Sequence, residues 1–140
     1  MENTFSLKDK VIVVTGATGV LGHSFIHSIA DAGGTVGVLG RNEAVANERV
    51  AEIIKKGGRA VALIADVMNE EQLVAARDKM LKEFGRIDGL VNGAGGNRPG
   101  GIVQPDADIF KLSMDGMKEV MDLNLMGTLI PTQIFGPSLV

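Results

Sequence analysis

Short β-branched runs alternate along this chain with longer segments whose apolar residues recur every three or four positions, a pattern that predicts strands exchanging with helices. Val11-Ile12-Val13-Val14-Thr15 reads as a buried first strand, entered through the short, mostly polar lead Leu7-Lys8-Asp9-Lys10 and ended at Gly16. Residues 20–32 read as a helix through Leu21, Phe25, Ile26, Ile29 and Ala30, stopped by Gly33-Gly34. The same unit repeats. Residues 35–39 are a strand, and residues 43–56 a helix capped by Asn42 and ended by Gly57-Gly58. A third strand spans 60–65, and Asn69-Glu70-Glu71-Gln72 has capping-box spacing ahead of a helix over 70–84. Residues 87–92 form the fourth strand. Regular alternation of this kind implies an α/β domain whose parallel strands are joined by right-handed crossovers.

Between Gly93 and Leu112 the rhythm gives way to a loop containing Gly95-Gly96, Pro99-Gly100-Gly101 and Pro105, a length usually reserved for functional segments. Ser113 can cap a last helix through Met114, Met117, Val120, Met121, Leu125 and Leu129, which Pro131 and Gly136-Pro137 are expected to interrupt.

Composition narrows the function classes. A chain of 140 residues that is 45% apolar can form one domain around one core without staples. It has 0 cysteines, which excludes disulfide scaffolds, thiolate nucleophiles and thiolate zinc sites. A net charge of -3 with no basic run argues against nucleic acid. The polar Met1-Glu2-Asn3-Thr4 carries no signal-peptide pattern and no stretch is apolar enough to span a bilayer, so a cytoplasmic protein off the membrane is expected. His23 and His27 share a helix face at a spacing that can hold a metal, but with no third ligand in evidence they read as helix-surface histidines and no metal is expected. The methionines read as flexible core or interface filler.

The chemistry concentrates at Thr15-Gly16-Ala17-Thr18-Gly19-Val20-Leu21-Gly22, where the first strand turns into the first helix. Glycines there allow a sharp turn, close approach of a diphosphate to main-chain N–H groups, and tight packing of helix on strand, while the helix N-terminus favours negative charge. Gly16, Thr18, Gly19 and Leu21 are therefore candidate coenzyme contacts. The second strand ends in Leu39-Gly40-Arg41-Asn42, with no acid to bind an adenosine 2′-hydroxyl. Arg41 and Asn42 are candidate coenzyme contacts there, and Arg41 points to NADP(H) over NAD(H) by accepting a 2′-phosphate or stacking on adenine; the alternative is a solvated arginine next to a helix cap.

Taken in order, Thr15-Gly16 with two further glycines, Asp66-Val67 after the third strand, Asn92-Gly93-Ala94-Gly95 after the fourth, and Asn124 in the following helix resemble the motifs of the short-chain dehydrogenase/reductase family. The likeness runs through nearly the whole chain. It implies a Rossmann-like, doubly wound parallel sheet of strand order 3-2-1-4 with helices on both faces. Two positions depart from the commonest branch: Gly16, Gly19 and Gly22 give TGxxGxxG, the spacing of the sugar-nucleotide branch, and glycine replaces the second asparagine of NNAG.

The resemblance also implies roles. Asp66 and Val67 would bind and flank adenine. Asn92, Gly93, Ala94 and Gly95 would line the ribose on the nicotinamide side. Asn124, placed among apolar residues, would be either a buried structural hydrogen-bonder or the family's catalytic asparagine, which holds a relay water. The segment from Ala94 to Gly100 is similar to the corresponding loop of short-chain mannonate or fructuronate oxidoreductases, and Arg98 could pair a substrate carboxylate there or stand as an exposed loop arginine.

Family members use a tyrosine in a YxxxK pair to move the proton at the substrate oxygen while nicotinamide carries the hydride. This sequence has 0 tyrosines. It is therefore expected to be the front, coenzyme-binding portion of an NAD(P)-dependent oxidoreductase for a small molecule, with at most feeble turnover in isolation, and to self-associate as the family's dimers and tetramers do. The competing readings are a nucleotide-sensing module that never had the catalytic residues, and a sugar-nucleotide epimerase or dehydratase.

Overall fold

The computed structural model describes residues 4–139; Met1, Glu2 and Asn3 of the polar N-terminal stretch, and Val140, lie outside them. Four parallel strands, β1 (Val11–Thr15), β2 (Thr35–Gly40), β3 (Arg59–Ile64) and β4 (Gly89–Asn92), form one sheet in the order β3-β2-β1-β4. Helices α1 (Val20–Asp31), α2 (Glu43–Lys55) and α3 (Glu70–Phe84) make the crossovers, and α4 (Met114–Met121) and α5 (Gly127–Phe135) follow the long loop after β4. The order reverses between β1 and β4, where a crevice opens beyond the carboxyl ends of such strands. No described helix is long and apolar enough to cross a membrane.

Strand alternation sends side chains to two cores. Val14, Val36 and Val38 pack with Ala17, Ile26, Ala46 and Ile53 under α1 and α2. Val11, Val13, Leu39 and Leu63 pack with Leu73, Met80 and Phe135 under α3 and α5. Every residue of β2 is buried, as a central strand covered on both faces must be. β4 is an edge strand and only half-buried along most of its length. Asn42 and Asn69 cap α2 and α3 through their side-chain oxygens, as the sequence predicts.

Asp88 ties the entry of β4 to that of β1. Its Oδ2 accepts from the Val11 amide at 2.8 Å, and the Asp88 amide donates to the Val11 carbonyl at 2.7 Å. Arg86, hydrogen-bonded to Asp88, is the main influence holding the Asp88 carboxyl below its ordinary value, with the Val11 amide and Lys10 adding to it against the opposing effect of burial. A lowered folded-state pKa contributes stability that is complete above the unfolded value, near 3.8, and is lost as pH falls through the folded one. Replacing Asp88 by asparagine should cost about 1–2 kcal/mol at neutral pH. Urea unfolding should show this difference from wild type shrinking as the pH drops below 4 or so.

The last helix differs from its sequence pattern. Instead of one helix fading at Pro131, the chain makes α4, a π-helical turn over Asp122–Met126, and α5 with Pro131 inside it. Proline removes one helical donor and crowds the preceding turn. Here the widened π turn lies just upstream, and two threonines bond back to the ladder: Thr128 Oγ1 donates to the Asn124 carbonyl at 3.2 Å and Thr132 Oγ1 to that of Thr128 at 2.7 Å. Phe135 then anchors the far end in the core, so the helix outlasts its proline.

Candidate coenzyme site

The turn between β1 and α1 is shaped first by its backbone. Gly16 has φ of 63°, and a Cβ on it would sit 2.4 Å from the Gly93 carbonyl oxygen. Only glycine fits both demands. A Cβ on Gly22 would lie 2.2 Å from the Gly16 carbonyl oxygen, so the first turn of α1 rides directly on the loop. α1 begins at Val20, after Gly19 as an N-cap with no side chain to cap it, and has no acidic residue in its first turn. Its leading amides therefore keep their donor capacity, and the positive end of the helix is not neutralised.

Two side chains brace this turn. Thr15, fully buried at the end of β1, accepts through Oγ1 from the amides of Gly93 at 3.1 Å and Ala94 at 3.2 Å, joining the glycine loop to the segment after β4. Arg49 of α2 donates to the Ala17 carbonyl and, at 2.7 Å, to that of Gly19. Neither role is visible in the sequence, because each depends on a partner about 30 or more positions away.

A cavity of about 550 Å³ opens over the carboxyl ends of all four strands. Gly16, Thr18 and Gly19 line it from the glycine loop, Arg41 from the end of β2, and Asp66 and Val67 from the segment after β3. Gly93, Ala94 and Gly95 line it from the segment after β4, and Arg98 joins them from the long loop. Nine of the expected coenzyme contacts and the expected substrate contact thus share one wall. Glu119, Asp122 and Leu123 line it from the last helical region, and the sequence did not suggest them.

Three expected contacts lie off that wall. Leu21 is exposed in the first turn of α1. Asn42 uses its side-chain oxygen to cap α2 at the Val45 amide. Asn92 donates to Thr132 Oγ1 at 3.0 Å, linking β4 to α5.

Arg41 is largely exposed, with Nη1 3.9 Å from Asp66 Oδ2. Asp66 is occupied locally: its Oδ1 accepts from the Met68 amide at 2.9 Å and its own amide donates to Gln72 Oε1 at 2.8 Å. The guanidinium therefore stands at the cavity rim, held by one weakly placed carboxylate. Asn124 is exposed, which corrects the expectation of a buried amide; it lies in the π turn and bonds to the loop after β4. There it accepts from the Gly96 amide at 3.1 Å and donates to the carbonyls of Gly96 and Val120, both at 2.8 Å. A third ligand-bearing group joins His23 and His27 where the sequence revealed none. Glu52 of α2 accepts from both, and those hydrogen bonds, His27's above all, hold its carboxyl below the ordinary value.

A parallel sheet of order 3-2-1-4, a glycine turn ahead of an open helix N-terminus, and a cavity at the strand-order reversal define a Rossmann-like dinucleotide fold. The chain belongs to the short-chain dehydrogenase family, whose model matches residues 10–140. It is 33% identical to the uncharacterized oxidoreductase UxuB of Bacillus subtilis (strain 168), over 96% of this chain and 51% of that protein. A solved structure described as a D-mannonate oxidoreductase from Haemophilus influenza, with bound NAD, superposes with a TM-score of 0.87 at 32% identity, covering 96% of this chain and 52% of that one. A 7α-hydroxysteroid dehydrogenase complexed with NADH and 7-oxo glycochenodeoxycholic acid gives 0.83 at 31% identity, covering 99% and 52% respectively. The chain spans about half the length of the curated relatives it matches.

Proposed function

We propose that these residues form the coenzyme-binding part of an NAD(P)-dependent oxidoreductase that interconverts a hydroxyl and a carbonyl on a small molecule. The observation that carries this reading is the cavity walled by Gly16, Thr18 and Gly19 on one side and Gly93, Ala94 and Gly95 on the other, beside the uncapped start of α1, which suits an anion. The amides of the glycine turn would hold the diphosphate, Asp66 and Val67 the adenine, and the Gly93 segment the nicotinamide ribose. When bound, nicotinamide supplies or accepts the hydride. With 0 tyrosines in the sequence, none of these residues is the tyrosine that moves the proton in the family's reaction. Asn124, fixed by its bonds to Gly96 and Val120, is the residue we assign to holding a relay water for that proton.

Arg41 favours NADP(H), since it stands free of any strong ion pair at the end of β2. The sequence has 0 tryptophans, so coenzyme fluorescence can be read directly against the protein. Arg41→Ala should weaken NADPH binding by about tenfold or more, the scale of one lost charge-assisted contact, and change NADH binding far less. Equal loss for both coenzymes, or none for NADPH, would remove the 2′-phosphate role.

For the substrate we favour a sugar acid, on the ground that Arg98 lines the same cavity and that the superposed Haemophilus influenza structure is described as a D-mannonate oxidoreductase. A guanidinium there would take the carboxylate in bidentate fashion. A cytoplasmic homo-oligomer is the assembly we expect, with the exposed Met121, Leu125 and Leu129 of the last helical region covered by a second copy.

A further inference from the structure

Away from the coenzyme cavity, α1 and α2 bring three ligand-bearing side chains to one point. His23 and His27 stand one helical turn apart on α1, the spacing at which two imidazoles on a single helix face bind one metal ion. Glu52 faces them from α2. Its Oε2 lies 3.3 Å from His23 Nε2 and 3.1 Å from His27 Nε2, and one ligand atom from each of the three residues falls within 4.8 Å of the others. Four-coordinate zinc has bonds of about 2.0–2.1 Å, which sets its ligand atoms about 3.3–3.4 Å apart along a tetrahedral edge. The His23 separation falls on that edge and exceeds the usual N–H···O distance, while the His27 separation is a little shorter than the edge.

The surroundings suit an ion as well as the distances do. Both imidazoles converge through Nε2, and His27 Nδ1 is buried without a hydrogen-bond partner, so His27 is held through the atom that would ligate. Side-chain exposure grades from 12% at His27 to 43% at Glu52 and 49% at His23, which leaves one side of the cluster open for water as a fourth ligand. Two histidines and a glutamate form a recognised donor set for zinc-class ions.

We propose that His23, His27 and Glu52 form a site for a zinc-class divalent transition-metal ion that clips α1 to α2. The site is separate from the nicotinamide cavity and does not depend on the coenzyme reading. Its place in the fold gives it a consequence. Glu52 is three residues from Arg49, whose guanidinium holds the carbonyls of Ala17 and Gly19 in the glycine turn, so an ion here would stiffen the same α1–α2 contact that braces that turn.

The test is direct metal binding by the tag-free, chelator-treated full chain. Calorimetric titration with Zn²⁺, and Co²⁺ titration read through its visible absorption, should show one saturable site per chain. Zn²⁺ should also raise the thermal unfolding midpoint, because an ion bound only by the folded state stabilises it. His23→Ala and Glu52→Gln alter exposed or half-exposed groups and should keep the fold; each should weaken binding at least tenfold and abolish the thermal shift. His27 is more buried, so its alanine variant serves only as a third check. Absence of saturable binding in the wild type, or binding equal to wild type in either His23→Ala or Glu52→Gln, overturns the proposal.

Discussion

Gly16→Ala should cost the domain about 2–4 kcal/mol and reduce coenzyme affinity at least tenfold, because the new Cβ meets both a left-handed backbone and a neighbouring main chain. The Gly93 carbonyl carbon and the Ala94 nitrogen stand 2.6 and 2.7 Å from the position that Cβ would take. Neither can swing aside as a side chain could. The loop must shift instead, and with it the amides that receive the diphosphate. Gly57→Ala separates the two contributions, since Gly57 has φ of 87° but nothing within 4 Å of its would-be Cβ. That variant should lose only the backbone cost, about 1–2 kcal/mol, with coenzyme binding intact. Coenzyme titration and urea unfolding of the two variants side by side make the comparison; equal affinity losses would show that strain, not collision at the site, is responsible.

Phe135→Ala should be the most damaging core substitution, at about 3–5 kcal/mol. Phe135 is the largest of the fully buried side chains, packed among Leu39, Leu73 and Met80 in the core beneath α3 and α5. Marginal domains have only about 5–15 kcal/mol of stability in all. The loss should reach the site too, since α5 carries Thr132, which receives the Asn92 side chain, and continues from the π turn that presents Asn124. Phe110→Ala is the matched control: Phe110 is 93% exposed and its truncation should change stability by less than about 0.5 kcal/mol. Chemical denaturation of both proteins gives the answer. A small change at Phe135 would mean that α5 does not hold the core as its burial implies.

What the sequence made legible follows from how local each signal is. β1, β2 and α3 could be placed within a residue because their apolar period, caps and glycine stops are written within a few positions of one another. The two-sided core follows from the same alternation. β4 begins at Gly89, later than the apolar run suggests, because Asp88 spends its side chain and amide on the entry of β1. The π turn and the survival of α5 past Pro131 had no local signature: both depend on back-bonding threonines and on Phe135 reaching a core assembled from distant strands.

The site divides in the same way. The glycine turn and Gly93-Ala94-Gly95 could be read because a strand-to-helix turn that approaches a ligand needs glycine at particular positions. Thr15, Arg49 and Glu52 could not. Thr15 looks like the last residue of a strand until Gly93 is brought beside it, and Arg49 and Glu52 look like ordinary charges on a helix until α1 packs against α2. Asn42 carried two readings at once, and its side-chain oxygen takes up the structural one as the cap of α2.

The most direct test of the central claim is a crystal structure of the full-length protein grown with NADP(H) or NAD(H). The account predicts a diphosphate against the amides of the turn from Gly16 to Gly22, the adenine beside Asp66 and Val67, and the nicotinamide end toward Gly93. A coenzyme lodged elsewhere, or no binding of either coenzyme by the folded protein in solution, would contradict it.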